Sequence, residues 1–213
     1  MVKYGNFWRR FLSAWALLLL GPARAHAHLV TTGLGPVYDG ISHFALSPDD
    51  ILPAMALALY AGLRGPLPGR RALFILPAAW LVGGLIGVYM VGAKSLSVPA
   101  TAGILAASFL ILGLLVASDL RLPPAAVVVL ALALGLVHGV VNGVAMTEDG
   151  AIASVATLQL LGVTATLFVL VALMSALVIS LRIHWMRIAV RVAGSWIAAM
   201  GLLWLGWSLR GRG

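Results

Sequence analysis

Residues 124–144 read PAAVVVLALALGLVHGVVNGV, a run without a single charged side chain. At about 1.5 Å of rise per residue, a helix of this length spans roughly 30 Å, which is the thickness of the hydrocarbon core of a bilayer. The run therefore predicts a transmembrane helix. Two of its residues, His138 and Asn142, need a separate explanation, because polar groups are expensive in the membrane interior.

The rest of the chain has the same apolar character. Hydrophobic residues make up 62% of the 213 residues and charged residues only 9%, with a mean hydropathy of +1.07, whereas soluble domains are about 45–50% apolar and about 25% charged. This composition excludes a soluble enzyme fold and a disordered chain, and no cysteine is available to bind metal. The sequence predicts an all-α, polytopic membrane bundle of about six transmembrane helices, at roughly 44–63, 72–92, 97–117, 124–144, 152–180 and 188–208.

The amino terminus has the parts of an export signal. A basic start is followed by an apolar core at 11–20, too short to span a membrane, and by a small-x-small cleavage motif that ends at Ala25. Cleavage there would remove residues 1–25 as a signal peptide and leave residues 26–213 as a single transmembrane domain. Ala27 ends a second cleavage motif, and an uncleaved anchor helix is the alternative to both.

The charged residues predict the orientation of the bundle. An export signal places the mature amino terminus outside, so that the loops at 64–71, 118–123 and 181–187 face the cytoplasm. Most basic residues fall in or beside these loops, as the positive-inside rule requires. The net charge of +8 therefore follows from topology, and we expect no nucleic-acid partner. We expect a bacterial inner-membrane protein, embedded in the lipid bilayer, with a periplasmic amino terminus.

Two aspartates lie at an unusual depth. Counted back from Arg64 at the inner boundary, Asp49 and Asp50 are about 20 Å above it, within an apolar layer about 30 Å thick. Ionisable groups at this depth are costly and usually functional. The same residues also make a good helix start, with Ser47 as cap, Pro48 at the first position and acids in the first turn. Capping alone, and capping combined with a cation site, are both open interpretations.

His138 shares this depth, at about 21 Å above the inner boundary. Asn142 follows one helical turn later on the same face, and glycines repeat every fourth residue from 135 to 143, which makes a smooth ridge for close helix contact. We expect these polar groups to face protein and to meet Asp50, with Gln159 at a similar depth as a further partner. The alternatives are a histidine bonded to a neighbouring carbonyl and a glutamine that only joins two helices.

Three short motifs carry a resemblance to a known family. They are GISH at 40–43, the pair Asp49-Asp50 that opens an apolar helix, and HGVVNG at 138–143. Together with the exported start and the six-span layout, these motifs resemble the HupE/UreJ family of hydrogenase and urease accessory membrane proteins, over essentially the whole mature chain. The resemblance implies a permease or accessory protein for nickel, without enzymatic activity.

The resemblance also implies metal-handling residues in two motifs, His-Pro-x-x-Gly-x-Asp-His in the first helix and His-Gly-x-x-His-Gly-x-Glu later. His43, Asp49 and His138 match these patterns. The positions that depart from them are Phe44 in place of proline, Asp50 and Asn142 in place of histidine, and Ala145 in place of glutamate.

The departures weaken the expectation of nickel, because imidazole suits nickel, copper and zinc, whereas carboxylate and amide oxygens suit harder ions. A divalent transition-metal ion is still expected, most of all nickel, with copper, cobalt or zinc as alternatives. We expect the first four of the following residues as ligands or relay groups and the last two as partners that orient them: His43, Asp49, Asp50, His138, Asn142 and Gln159.

A mature amino terminus at His26 would add a second metal-binding feature. In the sequence His26-Ala27-His28 the terminal amine, main-chain nitrogens and the third-position imidazole can hold Cu(II) or Ni(II) in a square plane. Such an end would capture ions outside and pass them to the acidic residues that the expected topology places at or near the outer surface, which are Asp39, Asp49, Asp50, Glu148 and Asp149. Cleavage after Ala27 would destroy this geometry, and a histidine-bearing end without a metal role is the alternative.

The sequence therefore predicts a permease or metal-delivery accessory protein that takes its ion from the periplasmic side and carries it inward or supplies it to metallo-enzyme maturation proteins. No phosphate-binding glycine loop with lysine indicates nucleotide-driven transport. One alternative is a non-transporting scaffold or assembly factor, with or without haem between His43 and His138. Another is an intramembrane enzyme with His138 as base, although the sequence shows no recognisable serine–histidine motif.

Overall fold

The computed structural model describes residues 31–91, 98–148, 150–181 and 184–210. The expected signal peptide at 1–25 and its cleavage motifs lie outside these residues. Within them every regular element is helical, and a π-helical turn at Gly87–Val91 extends the third helix. The helices are α1 (Pro36–Leu46), α2 (Pro48–Arg64), α3 (Pro66–Ile86), α4 (Val98–Ser118), α5 (Pro124–Glu148), α6 (Ala153–Ser180) and α7 (His184–Arg210).

Among the described residues, four helical segments are long and apolar enough to cross a membrane: Pro66–Met90, Pro124–Glu148, Ala153–Ser180 and Trp185–Trp207. The apolar stretch Ala102–Ser118 of α4 is shorter, and α2 has 17 residues. These helices fall on the six apolar segments of the sequence. The all-helical membrane bundle is confirmed, with fewer helices of full spanning length than the six expected.

The first predicted span, 44–63, is divided into two helices. The chain breaks at Ser47, between α1 and α2, and α2 rises only about 25 Å. A serine cap was expected here, but the Ser47 hydroxyl donates to the carbonyl of His43 at 2.7 Å and makes no capping bond to α2. Pro48 does occupy the first turn, with the two aspartates beside it. The helix start is therefore as expected and its side-chain cap is not.

The glycine ridge of α5 lies against α3, as expected. A side chain on Gly139 would collide with the carbonyl of Trp80, and one on Gly143 with the carbonyl of Gly84. A side chain on Gly135 would likewise meet the backbone of α3. Because no Cβ atoms intervene, the two backbones touch directly, which is how small residues let membrane helices pack. This contact fixes the depth and rotation of α5 relative to α3.

The short helix α2 is the centre of the bundle. It contacts every other helix, while the remaining helices pack mainly in pairs: α3 with α5, α4 with α7, and α1 with α6. Ala54 and Ala56–Gly62 are all buried. α1 lies on α6, where Gly40 meets the backbone of Gln159, so that protein covers the stretch before α2. In the amino-terminal turn of α2, Asp50 is buried, whereas Asp49 is half-buried and Pro48 is exposed.

Candidate functional site

Three polar side chains meet in the space between α2 and α5. His138 Nδ1 lies 3.0 Å from Asp50 Oδ1, and the Asn142 side-chain amide donates to Asp50 Oδ2 at 2.9 Å. His138 and Asn142 follow Asp50 in the chain by 88 and 92 positions, and none of the three residues is more than 3% exposed. The expected convergence of Asp50 with His138 and Asn142, which we call the Asp50 cluster, is confirmed.

The other ring nitrogen of His138 contacts α4. His138 Nε2 lies 3.1 Å from the hydroxyl of Ser108, which also donates to the carbonyl of Leu105 at 2.7 Å. Both imidazole nitrogens are therefore engaged within the protein. A metal ion can coordinate His138 only by displacing Asp50 or Ser108 from it. Ser108 could not be recognised from the sequence, because a serine in an apolar run usually bonds to its own helix, as Thr164 and Ser180 do here.

Aromatic rings close the cluster on the side of α3. The ring of Trp80 lies 5.2 Å from the ring of His138, centroid to centroid and tilted by 40°, and Phe44 meets Trp80 edge-on at 5.8 Å. All three side chains are fully buried. Trp80 reaches His138 because Gly139 lets α3 approach α5 closely. The imidazole therefore faces protein and not lipid.

Three further candidate residues, Asp49, His43 and Gln159, are not part of the Asp50 cluster. Asp49 is half-buried and within electrostatic range of Asp50, His138 and His43, while the His43 side chain is partly exposed. Gln159 is buried, but its side-chain oxygen has no hydrogen-bond partner and does not join the Asp50 cluster.

His26 and His28 lie outside the described residues. Among residues 31–91, 98–148, 150–181 and 184–210, no three histidine, aspartate or glutamate side chains are gathered closely enough to form a ready metal centre. The described donors of the Asp50 cluster are one carboxylate, one imidazole and one amide. Any ion bound by three carboxylate or imidazole groups would require His43 or Asp49 to move towards it.

One oxygen of the cluster is left without a partner. Asn142 Oδ1 is buried and accepts no hydrogen bond, which is costly in an apolar interior. It stands on the same amide whose nitrogen holds Asp50. The cluster thus offers an unpaired acceptor beside a buried carboxylate, a combination that attracts a positively charged or hydrogen-donating ligand.

Ser108, His138 and Asp50 also have the order of a serine-hydrolase triad, which is recognised by geometry. Acyl transfer further needs donors aimed at the developing oxyanion. Ser108 stands in the interior of α4, where backbone amides are committed to the helix, and its hydroxyl proton has a nearby acceptor in the Leu105 carbonyl. The arrangement fits a hydrogen-bonded relay better than an activated nucleophile.

A cavity of about 240 Å³ separates α4 from α5 and ends at Ser108 and His138. Its other walls are apolar side chains such as Ile111 and Val137. An ion gains nothing from such a surface, because burying a charge among apolar groups is strongly unfavourable. Two partly exposed polar side chains, Asp49 in the first turn of α2 and His43 in α1, lie within electrostatic range of each other.

Comparison with known proteins identifies the family. The sequence model of the family described as HupE / UreJ protein matches residues 15–204. The chain belongs to the HupE/UreJ family. "Protein HupE" of Rhizobium leguminosarum bv. viciae is 30% identical over 128 residues, which are 58% of this chain and 61% of that relative. The match thus spans about three fifths of the relative's length, and no solved structure matches the chain.

Family membership gives the departures from the motifs a structural meaning. Asp50 and Asn142 stand where the resemblance implies histidines, and these two side chains are hydrogen-bonded to each other in this HupE/UreJ member. His138, which matches the motif, lies on the same carboxylate. The two departures from the motifs, Asp50 and Asn142, therefore lie in direct contact in one cluster.

Proposed function

We propose that the protein is a membrane permease or metal-delivery protein for a divalent transition-metal ion, nickel before copper, cobalt or zinc, which it takes up from the periplasmic side. The observation that carries this proposal is the buried contact of Asp50 with His138 and Asn142. Ionisable groups within membrane-spanning segments are rare and usually mark ion pathways. The hydrogenase and urease accessory role of the family points to metallo-enzyme maturation as the destination.

The geometry favours a cation site over helix capping alone. A carboxylate that only stabilises the amino terminus of α2 needs no partner on another helix. Asp50 instead uses both oxygens in hydrogen bonds to side chains of α5. One carboxylate thus bridges two side chains of α5 and organises the contact between the two helices.

The donors set an expectation for the ion. Asp50 and Asp49 supply carboxylate oxygens, Asn142 an amide oxygen and His138 one imidazole nitrogen. A single imidazole among oxygens discriminates less sharply for nickel than several imidazoles would. His43 supplies a second imidazole at the entrance, and a mature end beginning at His26 would provide capture outside the membrane.

The test is uptake of radioactive nickel by the purified protein in sealed vesicles, with Asp50→Asn and His138→Gln beside the unchanged chain. Both variants should lose uptake, because each removes a group that must bind the ion. The matched control is Glu148→Gln, an exposed carboxylate at the end of α5, which should retain uptake. Full uptake by both cluster variants would refute the assignment.

A non-transporting scaffold for metallo-enzyme maturation is the second candidate, favoured by the absence of a ready metal centre among the described residues. The same vesicles distinguish the two functions. A scaffold would bind the metal in proportion to protein and reach a plateau independent of the internal volume of the vesicle. A permease would accumulate metal in proportion to that volume.

A further inference from the structure

A basic pocket lies at the other end of α2, about 20 Å from the Asp50 cluster along the helix. It encloses about 370 Å³, and three arginines from different parts of the chain, Arg64, Arg121 and Arg187, contribute to its wall. Apolar residues, including Leu63 and Pro68, line the rest. The pocket thus combines a cluster of positive charge with an apolar surface.

The positive charge of this pocket is only partly balanced. Asp119 forms an ion pair with Arg64 and a longer one with Arg187 at 3.7 Å. Three positive charges against one negative charge leave an excess of two. Arg121 makes no ion pair or hydrogen bond within the part of the chain that the structure describes, and both it and Arg187 lie close enough to Arg64 to repel it.

The most deeply buried of the three arginines has an unused donor. The Arg64 side chain is 9% exposed, and its Nε–H group is buried without an acceptor. Its guanidinium also lies over the ring of Tyr60, 5.3 Å from the centroid. A buried donor on a charged group is costly to leave unpaired. A ligand with several negative oxygens would satisfy this donor and offset the excess charge.

We propose that this pocket binds the phosphate group of an anionic membrane lipid. Arg64 is the last residue of α2, Pro124 the first of α5, and Arg187 lies in the first turn of α7. Helix ends of a membrane bundle lie at the level of the lipid headgroups, where basic pockets between helices bind anionic lipids. The bound phosphate would hold together α2, α7 and the loop before α5.

The test uses the full chain in a non-ionic detergent, titrated with phosphatidylglycerol or with phosphatidylcholine. Binding is measured from the rise in the thermal unfolding midpoint with lipid concentration. We expect the unchanged protein to prefer phosphatidylglycerol. Arg121→Gln should weaken that binding roughly fivefold, the effect of one basic residue near an anionic membrane surface.

Two further variants complete the experiment, one that should strengthen lipid binding and one that should leave it unchanged. Asp119→Asn removes the acid that pairs with Arg64 and Arg187 and should strengthen binding roughly fivefold. Asn is suited to this position because Asp119 has a positive φ of 53°, which asparagine tolerates. Arg70→Gln removes an exposed arginine of the same end of the bundle that does not line the pocket, and it should leave binding unchanged.

The outcomes separate the sources of phosphate and the effects on folding. Equal binding of the two lipids, equal losses in Arg121→Gln and Arg70→Gln, or weaker binding by Asp119→Asn would overturn the proposal. Stabilisation by inorganic phosphate but not by phosphatidylglycerol would also overturn it. Because Arg121 is exposed, we expect Arg121→Gln and Arg70→Gln to unfold at the same temperature without lipid. Weaker lipid binding by Arg121→Gln together with stronger lipid binding by Asp119→Asn then supports the pocket.

Discussion

Asp50 is the residue at which distant parts of the chain meet. It lies in the first turn of α2, where a negative charge is favoured by the helix dipole, and each of its oxygens is hydrogen-bonded to a side chain of α5. Its burial would be costly without these partners. His138 in turn links the carboxylate to Ser108 of α4, so that one short chain of contacts joins three helices.

Asn142→His tests whether the departures from the family motifs reduce nickel binding. The substitution places a second imidazole one turn after His138, as the resemblance implies for other members, and imidazole is the preferred ligand for nickel. We expect the affinity for Ni²⁺ to rise about tenfold, equivalent to about 1.4 kcal/mol, when measured by equilibrium dialysis. Asn142→Gln, which adds no imidazole, is the control. Equal changes in the two variants would contradict this explanation.

The elements of the bundle pack through small residues and through polar ties at their ends. α3 and α5 touch backbone to backbone at the glycines of α5, which brings Trp80 against His138. At the far end, the Tyr60 hydroxyl donates to the carbonyl of Leu120 at 2.8 Å and accepts from the amide of Leu122 at 3.3 Å. These contacts position the Asp50 cluster and the basic pocket, respectively.

Gly139→Ala should destabilise the bundle by about 1–3 kcal/mol, because an added methyl group at a filled contact forces the helices apart. The new Cβ would meet the carbonyl of Trp80. Gly206→Ala is the matched control, since no atom lies within 4 Å of the position of its Cβ, and it should gain up to about 1 kcal/mol from helix propensity. The free energy of unfolding in SDS titrations measures both. A harmless Gly139→Ala would show that the α3–α5 contact is looser than described.

Tyr60→Phe should cost about 1–2 kcal/mol of unfolding free energy, because it removes the hydroxyl that satisfies two backbone groups of the loop before α5. Tyr60 is fully buried, so water cannot readily replace that hydroxyl. Tyr38→Phe, at a tyrosine that is 54% exposed, should change stability little. Similar unfolding free energies for the two variants would rule out a structural role for the Tyr60 contacts.

Opposite charges lie at the two ends of α2. The Asp50 cluster lies at one end of that helix and the arginine pocket at the other, and α2 contacts all the other described helices. The orientation expected from the basic loops, with the acids towards the periplasm and the arginines towards the cytoplasm, is still a prediction. A ligand bound at either end would act on the same central helix.

Single cysteines test this orientation, since the chain contains none of its own. Glu148→Cys and Arg70→Cys introduce thiols at two exposed positions, one at the carboxyl end of α5 and one near the amino end of α3. A membrane-impermeant maleimide should label position 148 in intact spheroplasts and position 70 only after permeabilisation. The reverse pattern would invert the assigned topology, with the acidic end inside.

The sequence by itself determined the properties that follow from distance along the chain. Hydropathy predicted a helical membrane bundle, and the constant rise of a helix placed Asp50 and His138 at one depth before any contact was known. The glycine repeat of α5 predicted a close helix contact, because only small residues allow one. Family motifs added His43, and the part of His43 and Asp49 in binding metal is still a prediction.

Only the tertiary structure decided which polar groups touch. It brought Ser108 and Trp80 to His138, left Gln159 outside the Asp50 cluster, and gathered three arginines around Asp119. The physical reason is that these helices are apolar on nearly all sides, so the residue pattern does not show which face is buried. The rotation of each helix follows instead from packing against its neighbours, and contacts between distant segments depend on that rotation.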